Sequence, residues 1–117
     1  MQVIISGKGM ELTEAIKDYV EKKIESLDKF YDHIIRAHVM VGVESHHHNK
    51  GKIFIAECKL EIPGNDVFAS KNEKTLYKAV DKVRDYLEAE LLKHKVKERE
   101  KDKKDKRKVR DTKEYHI

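Results

Sequence analysis

The chain is short of nearly everything that would give it a second domain, a membrane span or a disulfide framework. It has one cysteine, Cys58, so no internal disulfide is possible, and a lone thiol suits a reducing compartment. Tryptophan is absent, and five tyrosines and three phenylalanines are the whole aromatic complement. Long hydrophobic runs are missing too. Stretches such as Val3-Ile4-Ile5 and Val39-Met40-Val41 fall far short of the ~20 residues a membrane helix needs. The opening Met1-Gln2-Val3-Ile4-Ile5-Ser6 lacks the basic flank and long apolar segment of a secretory signal. No Walker-type loop, GxGxxG or GxSxG occurs among the five glycines. A length of 117 residues allows one core and excludes two-domain enzymes and large barrels. One glutamine and three asparagines beside abundant Lys and Glu give a faint thermophile-like bias.

Charge is what the chain has in quantity. Charged residues reach 41% against 38% hydrophobic, which implies a thin core or a segment outside it. The net +4 is unevenly divided: residues 1–92 carry −2, residues 93–110 carry +7 and residues 111–117 carry −1. A basic block beside a near-neutral domain points to a polyanionic partner, with RNA, DNA and anionic membrane as candidates. The plainer alternative is a solvated helix end and a disordered tail. Glu98, Glu100, Asp102 and Asp105 inside the block favour it, since they pair with lysines and repel phosphate.

Periodicity supplies the elements. Gln2 to Ser6 reads as a first strand, with Gly7 and Gly9 making the turn. Leu12, Ala15, Ile16, Tyr19, Val20, Ile24, Leu27, Phe30 and Tyr31 repeat at i, i+3, i+4, predicting a helix with Thr13 as N-cap. Lys23 interrupts that apolar stripe. Ile34 to Glu44 alternates, with Ile35, Ala37, Val39, Val41 and Val43 on one face. Ile53 to Ile62 alternates likewise, with Phe54, Ala56, Cys58, Leu60 and Ile62 inward. Pro63-Gly64 fits the centre of a type II turn before a short fourth strand, Asn65 to Ser70. From about residue 73, Leu76, Val80, Val83, Leu87 and Leu91 mark a second helix. Apolar residues then nearly stop, so the core is expected to release this helix at Leu92, with residues 101–117 frayed. The order β-α-β-β-β-α predicts an α+β fold, a two-layer sandwich with a four-stranded mixed sheet and both helices on one face.

Candidate chemistry is sparse. His46-His47-His48 sit side by side, and adjacent imidazoles cannot all turn to one tetrahedral ion, so no metal is expected. They read as a solvated loop, or as a transient anion contact when partly protonated. Cys58 falls on an inward face, unsuited to a nucleophile. The cations of the second helix are the better constellation: Lys74, Lys78 and Lys82 in its early turns, then Lys93, His94, Lys95, Lys97 and Arg99. Cations along a rod suit a phosphate backbone, and the lack of an aromatic pair on the sheet argues against base stacking.

In Met1-Gln2-Val3-Ile4-Ile5-Ser6-Gly7, Leu12-Thr13-Glu14-Ala15-Ile16, Val20-Glu21-Lys22-Lys23-Ile24, Phe68-Ala69-Ser70, Leu76-Tyr77-Lys78-Ala79-Val80-Asp81 and Leu91-Leu92-Lys93-His94-Lys95-Val96-Lys97, the chain resembles a family. It is that of the short-form ribosome hibernation promoting factors and ribosome-associated translation inhibitors. The order and spacing of these pieces, over residues 1 to about 97, carry the resemblance. It implies the same fold and a function without catalysis. Family members occupy the decoding region of the small ribosomal subunit, where messenger and transfer RNA would sit, and so inhibit translation in resting cells. The partner implied is the small subunit's rRNA, with no cofactor, small-molecule substrate or membrane, for a cytoplasmic protein that is monomeric when free.

Carried over, the RNA-binding residues are Lys23, Lys93, His94, Lys95 and Lys97, to which the basic helix adds Lys78, Lys82 and Arg99. Each has a bland alternative. Lys23 could lay its stem over the core edge, and His94, three residues past Leu91, could pack or cap. Tyr77 could cover the core, and Asp81 could orient nearby lysines. Ala89 and Glu90 stand where the family often has a basic residue and Gln, which weakens local attraction to phosphate. The expected division is a ribosome-binding domain over residues 1–100 and a charged, flexible tail over 101–117. The long form's extra dimerisation domain has no room in this length. Whether the tail pairs ribosomes, keeps them apart or does neither stays open. The competing reading is a general double-stranded RNA-binding module.

Overall fold

The structure, a computed structural model, describes residues 1–44 and 51–114, with side chains as far as Lys101. The His46-His47-His48 reading therefore lies outside the described residues. Four strands, β1 (Gln2–Lys8), β2 (Arg36–Glu44), β3 (Ile53–Ile62) and β4 (Asn65–Glu73), form one sheet in the order β1-β2-β3-β4. Helix α1 (Glu14–Glu25) joins β1 to β2, which pair in parallel, and β2, β3 and β4 form an antiparallel meander. Helix α2 (Leu76–Glu114) follows. Both helices lie on one face, α1 against β1 and α2 against β3 and β4. This is the expected two-layer α+β sandwich.

Local chemistry explains the boundaries. Thr13 caps α1, its side chain accepting from the Ile16 amide at 3.2 Å. Thr75 does the same for α2, accepting from the Lys78 amide at 3.2 Å. The α1 stripe is not one helix to Tyr31: it ends at Glu25 and tightens into a 3-10 turn, Ser26–Lys29. There the Ser26 hydroxyl donates to the Lys23 carbonyl at 2.5 Å, competing with the regular ladder. Gly9, with φ at 70°, makes the turn after β1, whereas Gly7 stays within the strand. Gly64, at φ 82°, takes the left-handed position that the Pro63-Gly64 turn requires.

The core is built from Val20, Ile24 and Leu27, the inward faces of β2 and β3, Val67 and Ala69 of β4, and Leu76, Val80, Val83, Leu87 and Leu91 of α2. Two inward assignments shift. Ile34 is buried, and Ile35 is 54% exposed. Strand alternation begins only at Arg36, where ladder pairing with Gln2 and Glu61 starts, so the pleat does not aim the residues before it. Ala15 of α1 also faces solvent. The α2 backbone stays helical through Glu114, past the expected domain limit at residue 100.

Candidate nucleic-acid interface

The helical layer and the bare sheet face differ in charge chemistry. On the sheet face, register aligns Gln2, Arg36, Glu61 and Asp66 in one row and Ile4, His38, Lys59 and Phe68 in the next. Glu61 accepts from His38 Nε2 at 2.9 Å and pairs with Arg36 at 3.5 Å. The His38 hydrogen bond and these cations hold the Glu61 carboxyl below its ordinary range. One carboxylate, Glu61, thus answers both Arg36 and His38 here. Phe68 stands exposed without an aromatic partner in its row. Such a face offers little to a phosphate chain or to a run of stacked bases.

Between α1 and α2 the arrangement is different. Tyr19, Lys22, Lys23, Ser26, Arg84 and Asp85 line a groove of about 430 Å³. Arg84 is fixed from several sides. Its Nε donates to Ser26 Oγ at 3.0 Å, its guanidinium lies 5.4 Å from the Phe30 ring centroid, and it pairs with Asp85 at 3.1 Å and Glu88 at 3.4 Å. Lys23 pairs with Asp81 at 3.4 Å and lies 5.6 Å from the centre of the Tyr19 ring. Asp81 also accepts from the Tyr19 hydroxyl at 2.6 Å, and Tyr77 meets Tyr19 edge-on at 4.6 Å. Burial and the Asp81 hydrogen bond push the Tyr19 hydroxyl up to about 12, so it remains a donor at neutral pH. Lys23 is thus neither swallowed by the core nor free. It is a half-exposed cation held at the mouth of the groove.

The α2 cations form two rows rather than one. Lys78, Lys82, Lys93 and Lys97 follow one another in steps of 4, 11 and 4, close to whole turns at ~3.6 residues per turn, so they share one flank. Arg84, Lys95 and Arg99, in steps of 11 and 4, share the flank that faces α1. Lys82 pairs with Glu73, whose carboxyl this contact holds below its ordinary range. Lys93 pairs with Glu90 at 3.2 Å. His94 continues the core stripe beyond Leu91 and is half-buried, as is Lys95. Lys97 and Arg99 are exposed.

Of the sequence-predicted residues, then, Lys23 enters the inter-helix groove, and Lys95 and Arg99 extend along its flank. Lys78, Lys82, Lys93 and Lys97 line the far side of α2, and His94 turns inward. Sequence reasoning missed Lys22, Ser26 and Arg84. Arg84 stands 11 residues before Lys95, a whole number of turns, but nothing in one helix's spacing tells which flank meets another helix.

Burial pushes the Cys58 thiol up to about 12, leaving no thiolate near neutral pH. Among the described residues, no group of three metal-ligating side chains comes together, and no helix is long and apolar enough to cross a membrane.

Residues 3–99 match the family model described as Sigma 54 modulation protein / S30EA ribosomal protein. The ribosome hibernation promoting factor of Azotobacter vinelandii is 39% identical over 98 residues, 84% of this chain and 86% of that relative. That of Escherichia coli (strain K12) is 32% identical over 97 residues, 83% of this chain and 96% of the relative. Among solved structures, the N-terminal domain of Thermus thermophilus Protein Y superposes with a TM-score of 0.69 at 31% identity, covering 80% of this chain and 99% of that one. A ribosomal subunit interface protein from Coxiella burnetii, with a TM-score of 0.72 at 24% identity over 82% of this chain and 99% of its own, shares the fold.

Proposed function

The chain belongs to the Sigma 54 modulation protein / S30EA ribosomal protein family, and from that premise we propose that it is a ribosome hibernation factor. In this reading it is a cytoplasmic protein, monomeric when free, that seats in the decoding region of the small ribosomal subunit and inhibits translation without catalysis. Residues 1–100 are the ribosome-binding domain, and residues 101–117 are a charged tail. The helical layer faces rRNA. Lys22, Lys23 and Arg84 present convergent cations at the α1–α2 groove, and Lys95 and Arg99 continue that flank along α2.

The observation that carries the reading is this groove. Three cations from two helices, Lys22, Lys23 and Arg84, line it, with Lys23 and Arg84 held in place by Asp81, Asp85 and Glu88. Phosphate contacts release condensed counterions and make binding salt-dependent. The body of the domain then excludes tRNA by occupying its place.

Co-sedimentation with purified small subunits across a salt series tests the proposal, together with chemical probing of decoding-region rRNA. Expected are binding that weakens steeply with salt, protection confined to the decoding region, and displacement by excess tRNA. A long RNA duplex that competes as well as ribosomes do would point instead to a general double-stranded RNA-binding module. Absence of co-sedimentation at low salt would defeat the proposal outright.

A further inference from the structure

Asp81 poses a problem for an interface that grips phosphate. It puts a negative charge beside the groove, 3.4 Å from one of the groove's cations. Simple electrostatics makes it a liability, because it both repels the ligand and offsets Lys23. The geometry points to the opposite role, and rests on the rRNA-binding reading above: we propose that Asp81 is a positioning residue that holds the Lys23 ammonium at the mouth of the α1–α2 groove, so that its negative charge strengthens RNA binding.

The supports are stacked in sequence. Tyr77, nearly half exposed on α2, packs edge-on against Tyr19 of α1. Tyr19 donates its hydroxyl to Asp81 Oδ1 at 2.6 Å and so pins the carboxylate. The same Oδ1 faces the Lys23 ammonium, which also lies 5.6 Å from the centroid of the Tyr19 ring. Behind it, Ser26 Oγ contacts both the Lys23 carbonyl and Arg84 Nε, tying the backbone of Lys23 to the second cation of the groove.

A free lysine ammonium at the end of four methylenes loses considerable rotamer freedom when it grips one phosphate. Here that freedom is already restricted before the ligand arrives. The Asp81 contact at 3.4 Å is longer than a tight charge-assisted bond, and an ammonium has three donors, so it retains capacity for a phosphate oxygen.

The two roles predict opposite signs for one substitution. Asp81→Asn keeps an acceptor for Tyr19 but gives up the charge that holds Lys23. Positioning predicts weaker binding to small subunits, by roughly three- to tenfold at fixed salt, the scale of one lost charge-assisted contact. Charge neutralisation alone predicts tighter binding. In a Lys23→Ala background the prediction reverses. With no ammonium to place, Asp81→Asn leaves binding unchanged or tightens it slightly, which a general structural defect would not do. Asp81 is half-exposed, so the Asn variant folds, and a thermal melt matching the unaltered protein verifies that. Binding by Asp81→Asn equal to or tighter than that of the unaltered protein overturns the inference and leaves the ribosomal reading intact. So does equal weakening in both backgrounds. Failure of the unaltered protein to bind in the same series removes the ribosomal reading, and this inference with it.

Discussion

The Tyr31 hydroxyl donates to the Glu98 carboxylate at 2.6 Å, joining residues 67 positions apart in sequence. Tyr31 itself is 4% exposed, packed into the core just before β2. The bond fastens α2 almost two turns beyond Leu91, the last residue its apolar stripe holds. The apolar pattern alone releases the helix at Leu92. A polar clamp to a core tyrosine extends its anchorage, and with it the placement of Lys95 and Arg99.

Tyr31→Phe isolates that clamp, because it keeps the ring and removes only the donor. The expected loss is about 1 kcal/mol of global stability, typical of one net hydrogen bond. Its clearest effect is local. Amide exchange at residues 94–98 should quicken markedly while residues 79–87 stay protected. Uniform protection of both segments in the variant would show that Glu98 holds nothing in place.

The same bonds set a behaviour in alkali. The Glu98 hydrogen bond, then burial, push the Tyr31 hydroxyl from 10.0 to about 12, and Tyr19 rises to about 12 through burial and Asp81. A raised value means the folded state favours the neutral phenol. Its contribution is therefore complete below pH 10 and is lost as pH climbs from about 10 through about 12. Thermal melts of the unaltered protein should decline across that window as the two phenols ionise. Tyr31→Phe, with one phenol fewer to ionise, should decline less over the same range. Identical slopes for the two proteins would rule out this linkage.

Two rows of cations on α2 make a distinction that a count of lysines does not. Lys93 is held by Glu90 and Lys82 by Glu73, whereas among the described residues no ion pair holds Lys95 or Arg99. To reach a phosphate, Lys82 and Lys93 must leave those carboxylates, and they gain less from it. Replacing Lys95 and Arg99 by Ala should therefore lower the magnitude of the log-log salt slope of subunit binding by roughly one to two units, at somewhat under one unit per phosphate contact. The Lys93→Ala, Lys97→Ala pair should lower it less. The reverse order, measured by sedimentation over a salt series, would assign the contact to the far flank of α2.

How much of this was legible beforehand depends on the interaction involved. Alternation at Ala37, Val39 and Val41, and at Ala56, Cys58 and Leu60, specified the inward faces of two strands, since a pleat leaves only two directions. Thr13 and Pro63-Gly64 likewise announced a cap and a turn through local chemistry. Ile35 misled because parity was counted before the ladder began. Lys23 on an apolar stripe signalled something unusual, but its partners Asp81 and Tyr19 lie on two different helices. Arg84, Ser26 and the Tyr31–Glu98 clamp left no local trace. Each is defined by how two elements cross, which the period of either one does not contain.

Leu91 and Leu92 offer the sharpest check on where the core stops. They are adjacent and chemically identical, yet Leu91 is fully buried and Leu92 is 44% exposed. Consecutive helix residues point ~100° apart, and here that rotation turns Leu91 to the core and Leu92 away from it. Leu91→Ala should cost ~2–5 kcal/mol, the range for emptying a packed leucine site. Leu92→Ala should fall within about 0.5 kcal/mol of the unaltered protein, as exposed substitutions usually do. Denaturant titrations with matched m-values decide it. Comparable losses at both positions would mean that Leu92 is also covered in solution, by a surface outside this domain's own core.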